Sequence, residues 1–216
     1  MAVVSLSGIL FAAMGLTLPF VAMVQSEEQD SQLVQKVLNG DTQAFRGLVE
    51  QYQGRIYNII YGMVHNRDDA MELTQDTFLK AFRKLNSFNL DSKFYTWLCR
   101  IAVNTAIDHI RKMRHRQTSE FDENIGNFHD GSLHDDHYSQ NPESAAMNSE
   151  LRSQIIKAVD ELPEEQKQIL ILKEIDGLSY KEIATVVGVA QGTVMSRLYY
   201  ARKKLQEILE ANAQKI

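Results

Sequence analysis

The sequence predicts an all-α fold made of two small helical domains joined by an acidic flexible linker. Three observations lead there. Apolar residues recur mostly three and four positions apart instead of alternating, which is the period of a helix with one buried face. Only three prolines occur, Pro19, Pro142 and Pro163, so few positions forbid a helix outright. Residues 118–148 combine Gly126, Gly131, Pro142 and many Asp, Asn and Ser with little periodic apolar content, the composition of a linker. A chain of 216 residues with 44% hydrophobic and 24% charged side chains suits two small globular domains on either side of it.

Residues 1–29 form an N-terminal extension. No charged side chain occurs before Glu27, and the run from Ala2 to Val24 is long enough to cross a bilayer at about 1.5 Å per residue. It lacks the basic start of a signal peptide, and Ser5, Ser7, Gly8, Gly15, Thr17 and Pro19 dilute it. Three readings stand: translation begins at Met23 and the upstream run is not native, the run is a membrane anchor, or it is a disordered extension.

The first domain, residues 30–117, begins with Leu33, Val34, Val37 and Leu38, followed by a turn at Asn39-Gly40. Asp41 is the expected N-cap of a long helix carrying Phe45, Leu48, Val49, Tyr52, Ile56, Ile59 and Ile60. A second helix starts near Asp68 and Asp69, whose charges suit a helix N-terminus, and runs to Leu85 with Phe78, Ala81, Phe82 and Leu85 on one face. After a polar loop interrupted by Phe88 and Leu90, a third helix runs from about Lys93 to His115.

The second domain occupies residues 149–216. Pro163 at a helix N1 position, followed by Glu164 and Glu165, opens a helix with Ile169, Leu170, Leu172 and Ile175, and Asp176-Gly177 breaks it. Ser179 stands three residues before Glu182, a capping box, and starts a short helix that ends at Gly188. The last helix runs from about Gln191 to Leu209, with Val194, Leu198, Ala201 and Leu205 on its packing face. A short helix, a glycine turn and a longer basic helix make the order of a helix-turn-helix.

A net charge of −5 argues at first against nucleic acid, because phosphate binding needs local positive charge. The charge is segregated, however. Residues 93–116 hold six Lys and Arg against Asp108 alone, and residues 191–204 hold Arg197, Arg202, Lys203 and Lys204 with no acid. Residues 118–150 contain no Lys or Arg and eight acids. In the last helix, Thr193, Ser196, Tyr200 and Lys203, flanked by Arg197 and Lys204, lie opposite the packing face, where a helix can enter a major groove. In the first domain, Phe88, Phe94, Tyr95 and Trp97 gather beside a helix bearing Arg100, Asn104, Asp108 and Arg111. Aromatic rings beside positive charge suit single-stranded DNA, each stacked base being worth about 1–3 kcal/mol. Phe94 aligns with Leu98 and Ile101 and is assigned to packing, leaving Tyr95 and Trp97 for DNA.

The sole cysteine, Cys99, forms no internal disulfide and reads as a small buried apolar residue. His129, His134 and His137 sit among acids, but such spacing arises readily in a solvated linker, so no metal site is expected. No P-loop, Gly-x-Ser-x-Gly or metal-spaced His/Glu pair points to an enzyme. A helix-turn-helix regulator of another class would need a ligand or receiver domain upstream, and residues 30–117 show no alternating strands.

Residues 94–106, Phe-Tyr-Thr-Trp-Leu-Cys-Arg-Ile-Ala-Val-Asn-Thr-Ala, resemble the promoter-melting and minus-ten segment of extracytoplasmic-function sigma factors, sigma-E-like members of the sigma-70 family. Leu162-Pro163-Glu164-Glu165, Asp176 to Ala184, Gly192-Thr193-Val194 and Ser196-Arg197 resemble their minus-thirty-five helix-turn-helix. Asn39-Gly40-Asp41 with Ala44-Phe45, and Gln75 to Phe82, resemble the opening of their first domain and its polymerase-binding helix.

The resemblance implies a factor that brings core RNA polymerase to promoters and melts them, with residues 30–117 as region 2 and 149–216 as region 4. It implies polymerase contacts along residues 72–85, at Glu72, Gln75, Asp76, Phe78, Leu79 and Phe82. Minus-ten DNA is implied at Phe88, Asn89, Lys93, Tyr95, Thr96, Trp97, Arg100, Asn104, Asp108 and Arg111. There the loop of residues 88–92 with Tyr95, Thr96 and Asn104 would capture a flipped base, and Trp97 would part the strands. Minus-thirty-five duplex is implied at Gly192, Thr193, Ser196, Arg197, Tyr200, Lys203 and Lys204. It further implies an anti-sigma partner that masks the free factor, a role in stress response and a cytoplasmic location, with membrane association only if residues 1–24 are retained. No cofactor and no small-molecule substrate are expected.

Overall fold

The structure, a computed structural model, describes residues 26–120 and 153–213. The uncharged N-terminal run and nearly all of the acidic linker, its three histidines included, lie outside the described residues. Among the described residues all regular structure is helical, with no strand.

The first module opens with α1 (Ser26–Leu38), which has Glu27 and Glu28 in its first turn and Lys36 in its last, each on the side the helix dipole favours. Gly40 turns the chain at φ +103°, where a side chain would be strained. Asp41 does not cap the long helix as expected: a 3₁₀ turn, Thr42–Ala44, intervenes, Asp41 makes no side-chain cap bond, and α2 (Phe45–Val64) begins beyond it. Helix α2 ends at His65, whose left-handed φ of 54° turns the chain. Asn66 then accepts from the amides of Asp68 and Asp69 and caps α3 (Arg67–Lys84), so the two acids lie in the first turn as their charges suggested. A 3₁₀ turn, Leu85–Ser87, leads to α4 (Phe94–Glu120), which runs five residues past the expected end. Helices α2, α3 and α4 pack on one another around Leu48, Ile56, Ile59, Ile60, Ala81, Leu98 and Ala102, with α1 lying across α2.

In the second module residues 153–160 form α5. Pro163 stands at the N-cap, one position before the N1 expected for it, and α6 is Glu164–Glu174. The capping box forms as read: the Ser179 hydroxyl accepts from the Glu182 amide, and the Glu182 carboxylate accepts from the Ser179 amide, starting α7 (Tyr180–Val187). Gly188, at φ +72°, ends α7 and sets the turn into α8 (Gln191–Ala213). Val194, Leu198, Ala201 and Leu205 are all buried, so the packing face assigned from their spacing is the face that meets α6 and α7.

The modules do not stand apart. Helix α4 packs on α7 and α2 packs on α6, and the buried apolar residues of both modules form one continuous core. The cause lies in α6, where Ile169, Leu170, Ile171 and Leu172 are consecutive and fully buried. Four adjacent apolar residues face all round a helix, and such a helix needs cover on more than one side. Helix α8 covers one side and α2 the other. Contact with α2 is close at Gly62: a β-carbon there would sit 2.9 Å from Ile175 Cδ1 and 3.3 Å from Ile171 Cγ2.

Candidate nucleic-acid interface

Helix α4 divides along its length. Phe94, Leu98, Cys99, Ala102, Val103, Ala106 and Ile107 are buried, whereas Arg100, Asn104, Asp108 and Arg111 are exposed. The exposed four recur at helical spacing and form a strip of polar and cationic groups. Trp97, half-buried at the head of the strip, rests on Phe88 and Phe94 with ring centroids 5.1 and 5.7 Å away. Phe88 and Phe94, themselves edge to face at 5.8 Å, thus fix the indole and leave part of it open to a base. Asn89 and Lys93 are exposed nearby. Burial pushes the Cys99 thiol well above its ordinary pKa and keeps it protonated, in keeping with its reading as a core residue.

Three residues read as DNA contacts are placed differently. Phe88 and Thr96 are buried, the first as a support for Trp97. Tyr95 is buried against the second module: its hydroxyl donates to Asp176 Oδ1 at 2.6 Å, and the Arg55 guanidinium lies over its ring at 3.8 Å. Arg55 also grips Asp176 with two parallel bonds of 3.0 Å, Nε to Oδ1 and Nη2 to Oδ2. Burial pushes the Asp176 carboxyl up from its ordinary range, opposed by the Arg55 charge and the Tyr95 hydroxyl. Burial also pushes the Tyr95 phenol well up, so it remains a donor. In this arrangement Tyr95 reaches no base.

Two cations of the first module likewise meet acids of the second. Lys93 Nζ lies 3.1 Å from Glu182 and 2.7 Å from Glu27, and Arg111 lies 2.9 Å from Glu164. The hydrogen bonds to Glu27 and then Glu182 raise the Lys93 pKa.

Helix α8 presents the opposite of its packing face to solvent. Gly192, Ser196, Tyr200, Lys203 and Lys204 are exposed, and Thr193 is half-buried. Ser196 donates to the Thr193 carbonyl at 3.0 Å, and Arg197 is drawn to Glu165 at 2.5 Å. Arg202, itself exposed, is engaged by the buried carboxylate of Glu174, which ties its guanidinium to α6. Two residues on this face were missed by sequence reasoning: Met195 and Tyr199 are 52% and 63% exposed, with Tyr199 edge to face with Tyr200. Their signal was available, since the two lie four apart and flank Ser196 and Tyr200.

On α3, Glu72, Gln75, Asp76, Leu79 and Phe82 are exposed and continuous, joined by Met71. Phe78 is not on that surface. It is buried with its ring edge toward Phe45, because the helical period turns it to the core side.

The fold and these surfaces define a helical two-module protein with an aromatic and cationic strip on one module and a helix with an exposed polar and cationic face on the other. A family model described as Sigma-70 region 2 matches residues 48–116, and one described as Sigma-70, region 4 matches residues 152–205. The chain is 39% identical over 188 residues to the RNA polymerase sigma-H factor of Pseudomonas aeruginosa, covering 86% of this chain and 96% of that protein. It is 38% identical over 178 residues to the ECF RNA polymerase sigma-E factor of Escherichia coli K12, covering 82% of this chain and 92% of that protein. The structure of the sigma factor RpoE with the anti-sigma factor NepR from Bartonella quintana aligns with a TM-score of 0.59 at 27% identity, over 77% of this chain and 96% of that one. The structure of CnrH with the cytosolic domain of CnrY shares the fold, with a TM-score of 0.61 at 23% identity over 84% of this chain and 97% of that one. The chain belongs to the extracytoplasmic-function group of the sigma-70 family. It is a sigma factor, a transcription initiation factor and not an enzyme.

Proposed function

We propose that the two modules divide promoter recognition between duplex and single-stranded DNA. Helix α8 reads the minus-thirty-five duplex: Ser196, Tyr200, Met195 and Tyr199 face base edges, while Lys203 and Lys204 meet phosphate. The strip Trp97, Arg100, Asn104, Asp108 and Arg111 holds the opened minus-ten strand, with Asn104 bonding a base edge and the arginines following the backbone. Asn89 joins it, as do Lys93 and Tyr95 when Glu182 and Asp176 do not hold them. The exposed side of α3, at Glu72, Gln75, Asp76, Leu79 and Phe82, docks on core polymerase. The working boundaries are residues 30–117 and 149–216 around an acidic tether that DNA repels. An anti-sigma protein of the kind bound to the Bartonella relative masks the factor until a stress signal releases it, and the site of action is the cytoplasm.

The observation that carries this reading is the exposed strip on α4 beside a half-buried tryptophan, on a different helix and module from the exposed groove face of α8. Its test compares two variants in open-complex formation with core polymerase. Asn104→Ala is expected to weaken opening for some minus-ten sequences and not others. Lys203→Ala is expected to weaken binding on all sequences and to reduce the salt slope by about one. Equal loss on every minus-ten sequence for Asn104→Ala removes its base-reading role.

A further inference from the structure

We infer that α8 reads thymine methyl groups and not guanine: Met195, Tyr199 and Tyr200 meet the C5-methyl groups of an A·T-rich minus-thirty-five duplex, and Ser196 accepts from an adenine amino group. The inference rests on the proposed role of α8 in reading that duplex, and adds which bases the helix takes and by which atoms.

In a major groove guanine shows two acceptors, N7 and O6, and is met by a fork of donors, most often from arginine. Thymine shows a methyl group, which an apolar surface meets best, and its adenine partner shows an amino donor. A groove-reading helix brings its first turns to the base edges, and in residues 191–200 of α8 Arg197 is the sole cation. Arg197 stands three residues after Val194 and four before Ala201, both buried, so the helical period sets it on the flank of the packing face. There it meets Glu165 at 2.5 Å, with its side chain only 28% exposed. The next guanidinium, Arg202, is tied to Glu174 on α6. In this arrangement no guanidinium faces outward from the turns that would meet bases.

Outward instead stand Met195, Tyr199 and Tyr200, all more than half exposed. Tyr199 and Tyr200 lie edge to face with ring centroids 5.4 Å apart, so each braces the other, and Met195 lies one turn before Tyr199 on the same line. A single exposed apolar side chain is ordinary, whereas three together form a surface that a partner covers. The charge around them suits duplex DNA: residues 191–204 hold no acid, and Lys203 and Lys204 stand exposed one turn further on, where cations neutralise phosphate. Ser196 sits among the three. Its hydroxyl proton is engaged by the Thr193 carbonyl at 3.0 Å, so toward the groove it offers an acceptor, which suits an amino group and not guanine.

The test uses holoenzyme assembled from core polymerase and the full chain, which selects from a duplex library randomised through both promoter elements. The selected minus-thirty-five element is expected to be A·T-rich. The duplex is then remade with deoxyuridine for thymidine, or 7-deazaguanine for any guanine, in that element alone. Deoxyuridine removes only the methyl group. Each contacted methyl lost is expected to weaken binding about fourfold, the factor that goes with burying one such group, and 7-deazaguanine is expected to change nothing. Met195→Ala is expected to bring the thymine-to-uracil ratio to about one at one position and Tyr199→Ala at another, while Met195→Leu keeps it. Both side chains are exposed, so the fold survives their loss. A guanine-rich element that responds to 7-deazaguanine and not to deoxyuridine overturns the inference and leaves the duplex-reading role of α8 standing. Variants that lose initiation while responding to deoxyuridine as wild type does put a protein partner on this patch and overturn it as well. Selection at minus-ten with no preference at minus-thirty-five, or no promoter complex at all, removes the duplex-reading role itself and the inference with it.

Discussion

Asp160 joins the modules through charge and titrates in a useful range. Its carboxylate, 49% exposed, lies 3.3 Å from His65 Nε2 at the end of α2 and also meets Lys167 on α6. Burial pushes its pKa up, but the His65 imidazole beside it, followed by the Lys167 ammonium, outweighs burial and brings it from 3.8 to about 2. An acid with a depressed folded pKa adds stability above its unfolded value, and that stability is lost as pH falls through the folded value. The window here lies between about pH 4 and about pH 2. With allowance for screening of a half-exposed group, the contribution is ~1 kcal/mol. Thermal unfolding of Asp160→Asn is expected to fall below wild type at about pH 6 and to approach it as pH drops through that window. A gap that is constant with pH contradicts the assignment. The residue scale is also where sequence reasoning was least complete. Composition and spacing located Tyr95 on the right helix, but turning it to the solvent or core side requires knowing what else packs there; Phe78 lies on the apolar face its spacing with Ala81 and Leu85 indicates. Asp176 was legible as a helix breaker beside Gly177, and nothing local revealed that Arg55, 121 residues away, would seek it.

At the scale of elements the local chemistry is strong and was readable. Helix α7 has only eight residues and could not hold itself in water, so its ends and its apolar face must fix it. The capping box of Ser179 and Glu182 satisfies donors at one end, Gly188 closes the other, and Ile183 and Val186 bury its inner face. Ser179→Ala is expected to cost ~1 kcal/mol in chemical denaturation and to weaken minus-thirty-five binding through misplacement of α8, with no loss of single-strand binding. An unchanged midpoint would contradict the role of the cap. By contrast, the start of α2 was misplaced, since Asp41 in sequence has every property of an N-cap and only the intervening 3₁₀ turn takes it out of reach.

At the scale of the whole molecule, two helical modules followed from periodicity, few prolines and segregated charge, and net charge alone would have hidden both basic stretches. Their docking did not follow, although a trace of it was present. Ile169-Leu170-Ile171-Leu172 is too apolar all round for a helix covered on one side, and the missing cover is α2. Periodicity reports that a face is buried but not by which element. The account as a whole turns on whether this chain confers promoter-specific initiation. Run-off transcription with purified core RNA polymerase and a promoter library measures that directly. The chain is predicted to give transcripts from a defined subset of promoters, with starts set by paired minus-thirty-five and minus-ten elements and none in its absence; no promoter-dependent transcript on adding it would contradict the account.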